Sequence, residues 1–300
     1  MTRKIFVLAL LVYAAYSTVY AQEEAAPAPL WTKKGVAALN LTQVSLKNWA
    51  AGGESAVGFD AMLNYGADYK KGRHIWNNRL ELAYGMNKTD QYGSRKTNDK
   101  MYLSSSYGYE ISRSLYLSAG FSFLSQFSKG YNYGVSPKAY ISKFMAPAYL
   151  SVGPGLKWVP NKYLTVNLSP ATWRGIFVLD DTLSHRGAFG VEPDKHILSE
   201  FGADLVAELK YDFKETNLEF LKNFSLYSRL ELYSNYLEEI QNVDVRWDVL
   251  LSMKINDWFS TNLTTNLVYD NDIKFLQADG SAGPRVQFKE ALGVGITVHF

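Results

Sequence analysis

The residues best placed to do chemistry are charges that stand at every second position. Glu208, Arg229, Glu231, Arg246 and Asp248 lie in three successive stretches where apolar and polar residues alternate. In an extended strand, alternate side chains share one face. The same faces of these and other alternating stretches carry Asp60, Arg79, Glu81, Asp204, Lys210, Asp244, Lys254 and Lys289, giving seven acids and six bases in all. Opposite charges on adjoining strands make cross-strand ion pairs. The five named residues are therefore expected to form a network inside the fold, the alternative being a polar path for a small solute. A path selective for one sign of charge would be lined unevenly, and this set is nearly balanced.

Other reactive groups are sparse. His185 and His196 share the segment 179–198 with Asp180, Asp181 and Asp194. Such a set could support acid–base hydrolysis or bind a metal. Their spacing fits no ligand motif, however, and the segment reads as a solvated, mobile loop. Asp270 and Asp272 could offer oxygens to a divalent cation, although Asx turn chemistry accounts for the same residues. Asn48, Trp49, Gly52 and Gly53 form a loop motif in which the glycines permit a tight reversal and Trp49 anchors at an interface. A sugar-stacking platform is the functional alternative there. Cysteine is absent, which excludes thiol nucleophiles, disulfides and thiolate metal sites. No glycine-rich phosphate loop opens a helix after a strand. The residues call for no catalytic set, no cofactor and no dedicated metal site.

The elements that must hold these charges are strands. From Val243 to Ile255 the odd positions are Val, Val, Trp, Val, Leu, Met and Ile, while the even ones carry Asp244, Arg246, Asp248 and Lys254. That is period two, not 3.6. The pattern recurs to give about twelve strands, near 36–46, 55–69, 74–87, 100–112, 115–128, 146–159, 163–178, 199–212, 223–236, 243–255, 259–270 and 286–300. Many are 12–16 residues long, against a usual mode of about 5–6. A tilted strand needs about 9–11 residues to cross a bilayer. Connections after the second, fourth, sixth and tenth strands are tight turns, and that after the eighth (213–222) is longer; those after the third, fifth, seventh and eleventh are long and polar, and those after the first and ninth are short. Short turns on one side and long loops on the other predict an all-β fold: a single antiparallel transmembrane β-barrel with short periplasmic turns and longer external loops. Twelve strands at ~4.8 Å spacing give a backbone radius of roughly 12 Å, too narrow for a wide pore.

Composition and targeting agree. Hydrophobic residues are 47%, aromatics 15% and charged residues 20%. Residues 1–21 pair Arg3 and Lys4 with an apolar run, Ile5–Tyr16, and end Val19-Tyr20-Ala21, which predicts a signal peptide cleaved near Ala21. Residues 22–30 read as a flexible leader, and 31–300 as the barrel. Without Arg3 and Lys4 the bases and acids balance at 29 each, which leaves no overall field to attract nucleic acid. The last residues alternate and end in Phe300, similar to the assembly signal of bacterial outer-membrane barrels. The expected partners are thus outer-membrane lipid and the barrel-assembly machinery, in a Gram-negative envelope.

Gln43–Gly53, Trp76-Asn77-Asn78 with Tyr84-Gly85, Asn223–Ser228 and Tyr269–Ile273 together resemble an uncharacterised Bacteroidetes family of exported proteins, the domain of unknown function 3078. The resemblance runs from about Trp31 to Phe300. It implies an outer-membrane barrel and no known activity. The expected function is non-enzymatic: narrow transport, or lumenal binding, of a small solute or apolar molecule. The alternatives are a structural or adhesive barrel acting through its external loops and, less well supported, a hydrolase at the barrel mouth.

Overall fold

The computed structural model describes residues 29–45, 55–90, 93–133, 137, 139–238, 240–276 and 282–300. The signal segment, most of the leader and the Asn48–Gly53 loop motif lie outside the described residues.

The chain forms β1 (Trp31–Val44), β2 (Ala56–Lys71), β3 (His74–Thr89), β4 (Gly93–Ser112), β5 (Leu115–Ser125), β6 (Gly130–Asn132), β7 (Ala139–Ser142), β8 (Ala148–Trp158), β9 (Leu164–Phe177), β10 (Ile197–Asp212), β11 (Phe224–Asn235), β12 (Val243–Lys254), β13 (Phe259–Tyr269), β14 (Lys274–Leu276), β15 (Ala282–Pro284) and β16 (Gln287–His299). Twelve of these close into one antiparallel barrel in the order β1-β16-β13-β12-β11-β10-β9-β8-β5-β4-β3-β2. The two short pairs, β6–β7 and β14–β15, are hairpins in the external loops. Each of the twelve expected strands has its counterpart. Two ends move: β1 starts earlier, at Trp31, and β4 starts at Gly93, which adds Lys96, Asn98 and Asp99 to the wall.

Alternation decides which way each residue points. Leu39, Leu41, Val57, Phe59, Leu103, Leu117, Val152, Trp247, Phe288 and Leu292 are exposed on the outer surface. Asn40, Lys157, Arg174, Glu200, Arg229 and Asn262 are buried. This is a soluble protein turned inside out. Closure pairs each barrel strand with two neighbours, so the apolar face can be given to lipid. Among the described residues no helix is long and apolar enough to cross a membrane.

Aromatic residues collect at the rim with the short turns. Trp31 packs on Tyr69 and Trp76 at 5.2 and 5.7 Å, and Tyr163 on Tyr211 at 4.9 Å. Amphipathic rings favour the membrane interface. The barrel is sealed at the same rim. Phe300 exchanges backbone hydrogen bonds with Gly35, 2.6 Å from Gly35 N and 3.0 Å to Gly35 O. The Phe300 ring lies over Gly35, where a Cβ would have to push the ring aside.

One irregularity matters for the interior. The β9–β10 register slips between the pairs Gly202–Thr172 and Asp204–Ser169. The extra residue reverses the phase of β9. Leu168 faces out below the bulge, and Trp173 faces out above it. Arg174 is thereby turned into the lumen.

Candidate functional site

The candidate site is the lumen, where charged side chains lie in three layers. Nearest the external mouth, Arg174 on β9 pairs with Glu200 on β10, and its Nη2 donates to Asp244 Oδ2 at 2.5 Å. Its guanidinium also lies 3.7 Å from the centre of the Tyr233 ring. Cation–π contact and two carboxylates together offset the cost of burying this charge.

The middle layer crosses the barrel. Lys100 Nζ on β4 donates to Glu81 Oε2 at 2.8 Å and to Asp248 Oδ2 at 3.0 Å. β4 and β12 stand on opposite sides of the ring of strands, so this bridge spans the diameter. Asn266 Nδ2 holds the other oxygen of Asp248 at 2.7 Å. Beside the bridge, Arg229 Nη1 donates to Glu231 Oε2 at 2.6 Å, and its Nε lies 3.8 Å from Glu208 Oε1. The Arg229 guanidinium sits over Tyr102 and that of Arg246 over Tyr149.

Towards the periplasm, Arg79 pairs with Asp68 at 3.2 Å and Lys210 with Glu208 at 3.5 Å. Lys157 Nζ donates to Asn77 Oδ1 at 2.9 Å. Between this layer and the bridge is a cavity of about 140 Å3. One wall is hydroxyl- and amide-rich, with Ser104, Ser106, Ser151, Asn167, Ser169 and Thr172.

All five residues expected in the network face this interior. Glu208, Arg229 and Glu231 come together as one group. Asp248 pairs instead with Lys100 of the opposite wall, and Arg246 stacks on an aromatic ring. Lys254, placed in the lumen by alternation, pairs with Asp257 at the exposed turn after β12. Sequence reasoning missed Lys100, Lys157, Arg174 and Glu200. Strand phase extended through β10 would have found Glu200. Arg174 is hidden by the bulge.

The segment 179–198 departs from expectation in part: Asp180, Leu183, Ser184 and Val191 pack into a cap on the external rim, while Asp181, His185, Asp194 and His196 stay exposed to solvent. A short helix, Asp181–His185, brings Leu183 against Ala146, Ile176, Val178 and Val191, all nearly inaccessible to solvent. Asp180 caps that helix. Its Oδ1 accepts from Leu183 N–H at 2.9 Å and from the Tyr140 hydroxyl at 3.1 Å, while Lys143 lies 2.6 Å from Oδ2. Burial works to raise the Asp180 carboxyl, but Lys143, Leu183 N–H and Tyr140 outweigh it and hold the group below its ordinary value. The two histidines have separate partners. His185 pairs with Asp194 at 2.8 Å, and His196 Nδ1 lies 2.9 Å from Val178 O. They do not converge on one nucleophile.

At the mouth, Asp272 N–H donates to Asp270 Oδ1 at 2.9 Å, which is an Asx turn. Burial, and then the charge of Asp244, raise the Asp270 carboxyl. Among the described residues, no group of three or more His, Cys, Asp or Glu could hold a metal ion.

Residues 41–131 match the family model described as a protein of unknown function, DUF3078. That stretch holds the Gln43–Gly53 and Trp76–Gly85 motifs; those at 223–228 and 269–273 lie beyond it. No curated protein matches the chain. Among solved structures, the chain is similar to the COG4313 outer membrane channel from Pseudomonas putida F1, with 11% identity over 93% of this chain and 100% of that one, and a TM-score of 0.40. It is also similar to the NanC porin, with 11% identity over 88% of this chain and 98% of that one, at 0.37. The translocator domain of autotransporter NalP from Neisseria meningitidis gives 11% identity over 99% and 95%, at 0.34.

Proposed function

We propose that the chain is a non-enzymatic outer-membrane barrel whose lumen binds a small polar solute and is closed to steady ion flow. The observation that carries this reading is the Lys100 bridge to Glu81 and Asp248, which spans the lumen above a polar cavity. Ion pairs across the diameter narrow the path through the lumen. The hydroxyl- and amide-rich wall suits a polar solute better than an apolar one, because such groups lose hydration unless the ligand bonds them. In planar bilayers the wild type is expected to conduct weakly or intermittently. Lys100→Ala breaks the bridge and should raise conductance. Large steady currents from the wild type, unaltered in Lys100→Ala, would replace this reading with an open pore.

A second reading, partner contact through the external loops, draws on the cap. Ile141, Phe144 and Leu179 are exposed beside its packed interior. Replacing Ile141, Phe144 and Leu179 together with Asn should leave the barrel folded while abolishing any such contact.

A further inference from the structure

Buried polar atoms in folded proteins nearly always have a hydrogen-bond partner, and one without a partner calls for a ligand, an ion or a water. Three such atoms belong to residues that line the cavity below the Lys100 bridge: Ser106 Oγ, Asp204 Oδ1 and Arg229 Nε. Lys157 completes the set. It is only 4% exposed, yet its ammonium, with three donors, makes a single hydrogen bond among the described residues, to Asn77.

Charge narrows the choice of ligand. Each other cation around the cavity has a carboxylate: Arg79 has Asp68, Lys210 has Glu208 and Arg229 has Glu231. Lys157 has none within ion-pair distance among the described residues. A neutral polyol would leave that buried charge uncompensated. An inorganic anion without a hydroxyl, such as chloride or nitrate, would compensate it but give Asp204 Oδ1 no donor. We infer that this cavity binds a small organic carboxylate that also carries a hydroxyl or amino donor. Its carboxylate lies against Lys157, and its donor satisfies Asp204. The cavity volume of about 140 Å3 suits a molecule of few heavy atoms; an apolar cavity of roughly 150 Å3 holds benzene. This inference rests on the lumen-binding reading above and names its ligand class.

The test is calorimetric titration of the detergent-purified chain with lactate, acetate and glycerol at matched ionic strength. Lactate should bind. Acetate, which lacks the second donor, should bind about tenfold more weakly, the loss expected from one unmade buried hydrogen bond. Glycerol should not bind measurably. Lys157→Gln can keep the bond to Asn77 but lacks the charge, and should abolish lactate binding. Lys157→Arg should restore part of it. Asp204→Ala should bring lactate down to the affinity of acetate and leave acetate unchanged. Undiminished lactate binding in Lys157→Gln overturns the carboxylate assignment. So does glycerol binding equal to that of lactate, although a lumenal polar site would then still stand. If none of the three binds the wild type, the ligand class is wrong, and bilayer conductance decides separately whether the lumen is closed.

Discussion

The lumen and the external cap bury side chains by opposite means. In the lumen the inward groups are Arg174, Glu200, Lys100 and Arg229, held by ion pairs, amides and aromatic faces. In the cap they are Ala146, Ile176, Val178, Leu183 and Val191, packed as in a soluble domain. The cause is the solvent on the far side. Barrel strands give their apolar residues to lipid, so only polar ones remain for the interior. At the external rim, Ala146, Ile176, Val178, Leu183 and Val191 pack on one another instead. A polar interior depends on geometry, since each charge must meet its partner; an apolar one depends on volume.

The contrast predicts different ways to damage each region. Arg174→Ala should have the largest effect. It leaves Glu200 buried without its partner and should cost ~3–5 kcal/mol, read as a lower unfolding temperature in detergent. A change below about 1 kcal/mol would mean that water already screens the layer.

Next comes the wall itself. Trp247 faces lipid and Asp248 faces the lumen. Trp247→Arg should cost ~2–4 kcal/mol. Asp248→Asn should cost less, because Lys100 keeps Glu81. Equal tolerance of both changes would show that the inside–outside assignment fails.

The cap should fail locally. Leu183→Ala opens a cavity in the small apolar cluster, at ~2–4 kcal/mol of local stability. Hydrogen exchange across residues 178–198 should rise while the heat-modifiable gel shift of the barrel is retained. Loss of that shift would show that the cap and barrel fold as one unit.

The smallest effect is that of pH on the cap. Asp180 titrates below its ordinary value of 3.8 in the folded chain. A depressed carboxyl stabilises above its unfolded pKa, and that contribution is lost as pH falls through the folded value. Proteolysis of 178–198 should therefore be slow at pH 5 and faster near pH 3. Asp180→Asn should remove the difference.

The architecture was legible because the period of two survives along each long strand and places Glu208, Arg229, Glu231, Arg246 and Asp248 on one face without knowledge of register. The site was legible only in part. Arg174 sits beyond a bulge that inverts the phase of β9; Pro170, which cannot donate to a ladder, is a local cue to that bulge, but alternation alone does not carry the phase change. Lys100 was on an expected strand, yet its partner Asp248 is 148 residues away across the barrel. Such a pair depends on tilt and radius, which alternation does not encode. The cap was hidden for a related reason. Leu183 and Val191 have no regular spacing, and only the folded rim supplies the surface they pack on.

The closure at Phe300 has a mechanical side. β1 meets β16 over five residue pairs, from Val36–His299 to Asn40–Gly295, whereas β2 and β3 are zipped over sixteen. On β1, Leu41 to Val44 run on toward the external rim with no partner on β16. The wall is therefore a cylinder with one short weld, fastened near the periplasm and unstitched above it. Load applied across the wall concentrates at the upper end of that weld, where each hydrogen bond must break almost singly and not in a shared row. The barrel should tear there first, from the outside inward, with Gly35 and Phe300 the last pair to part.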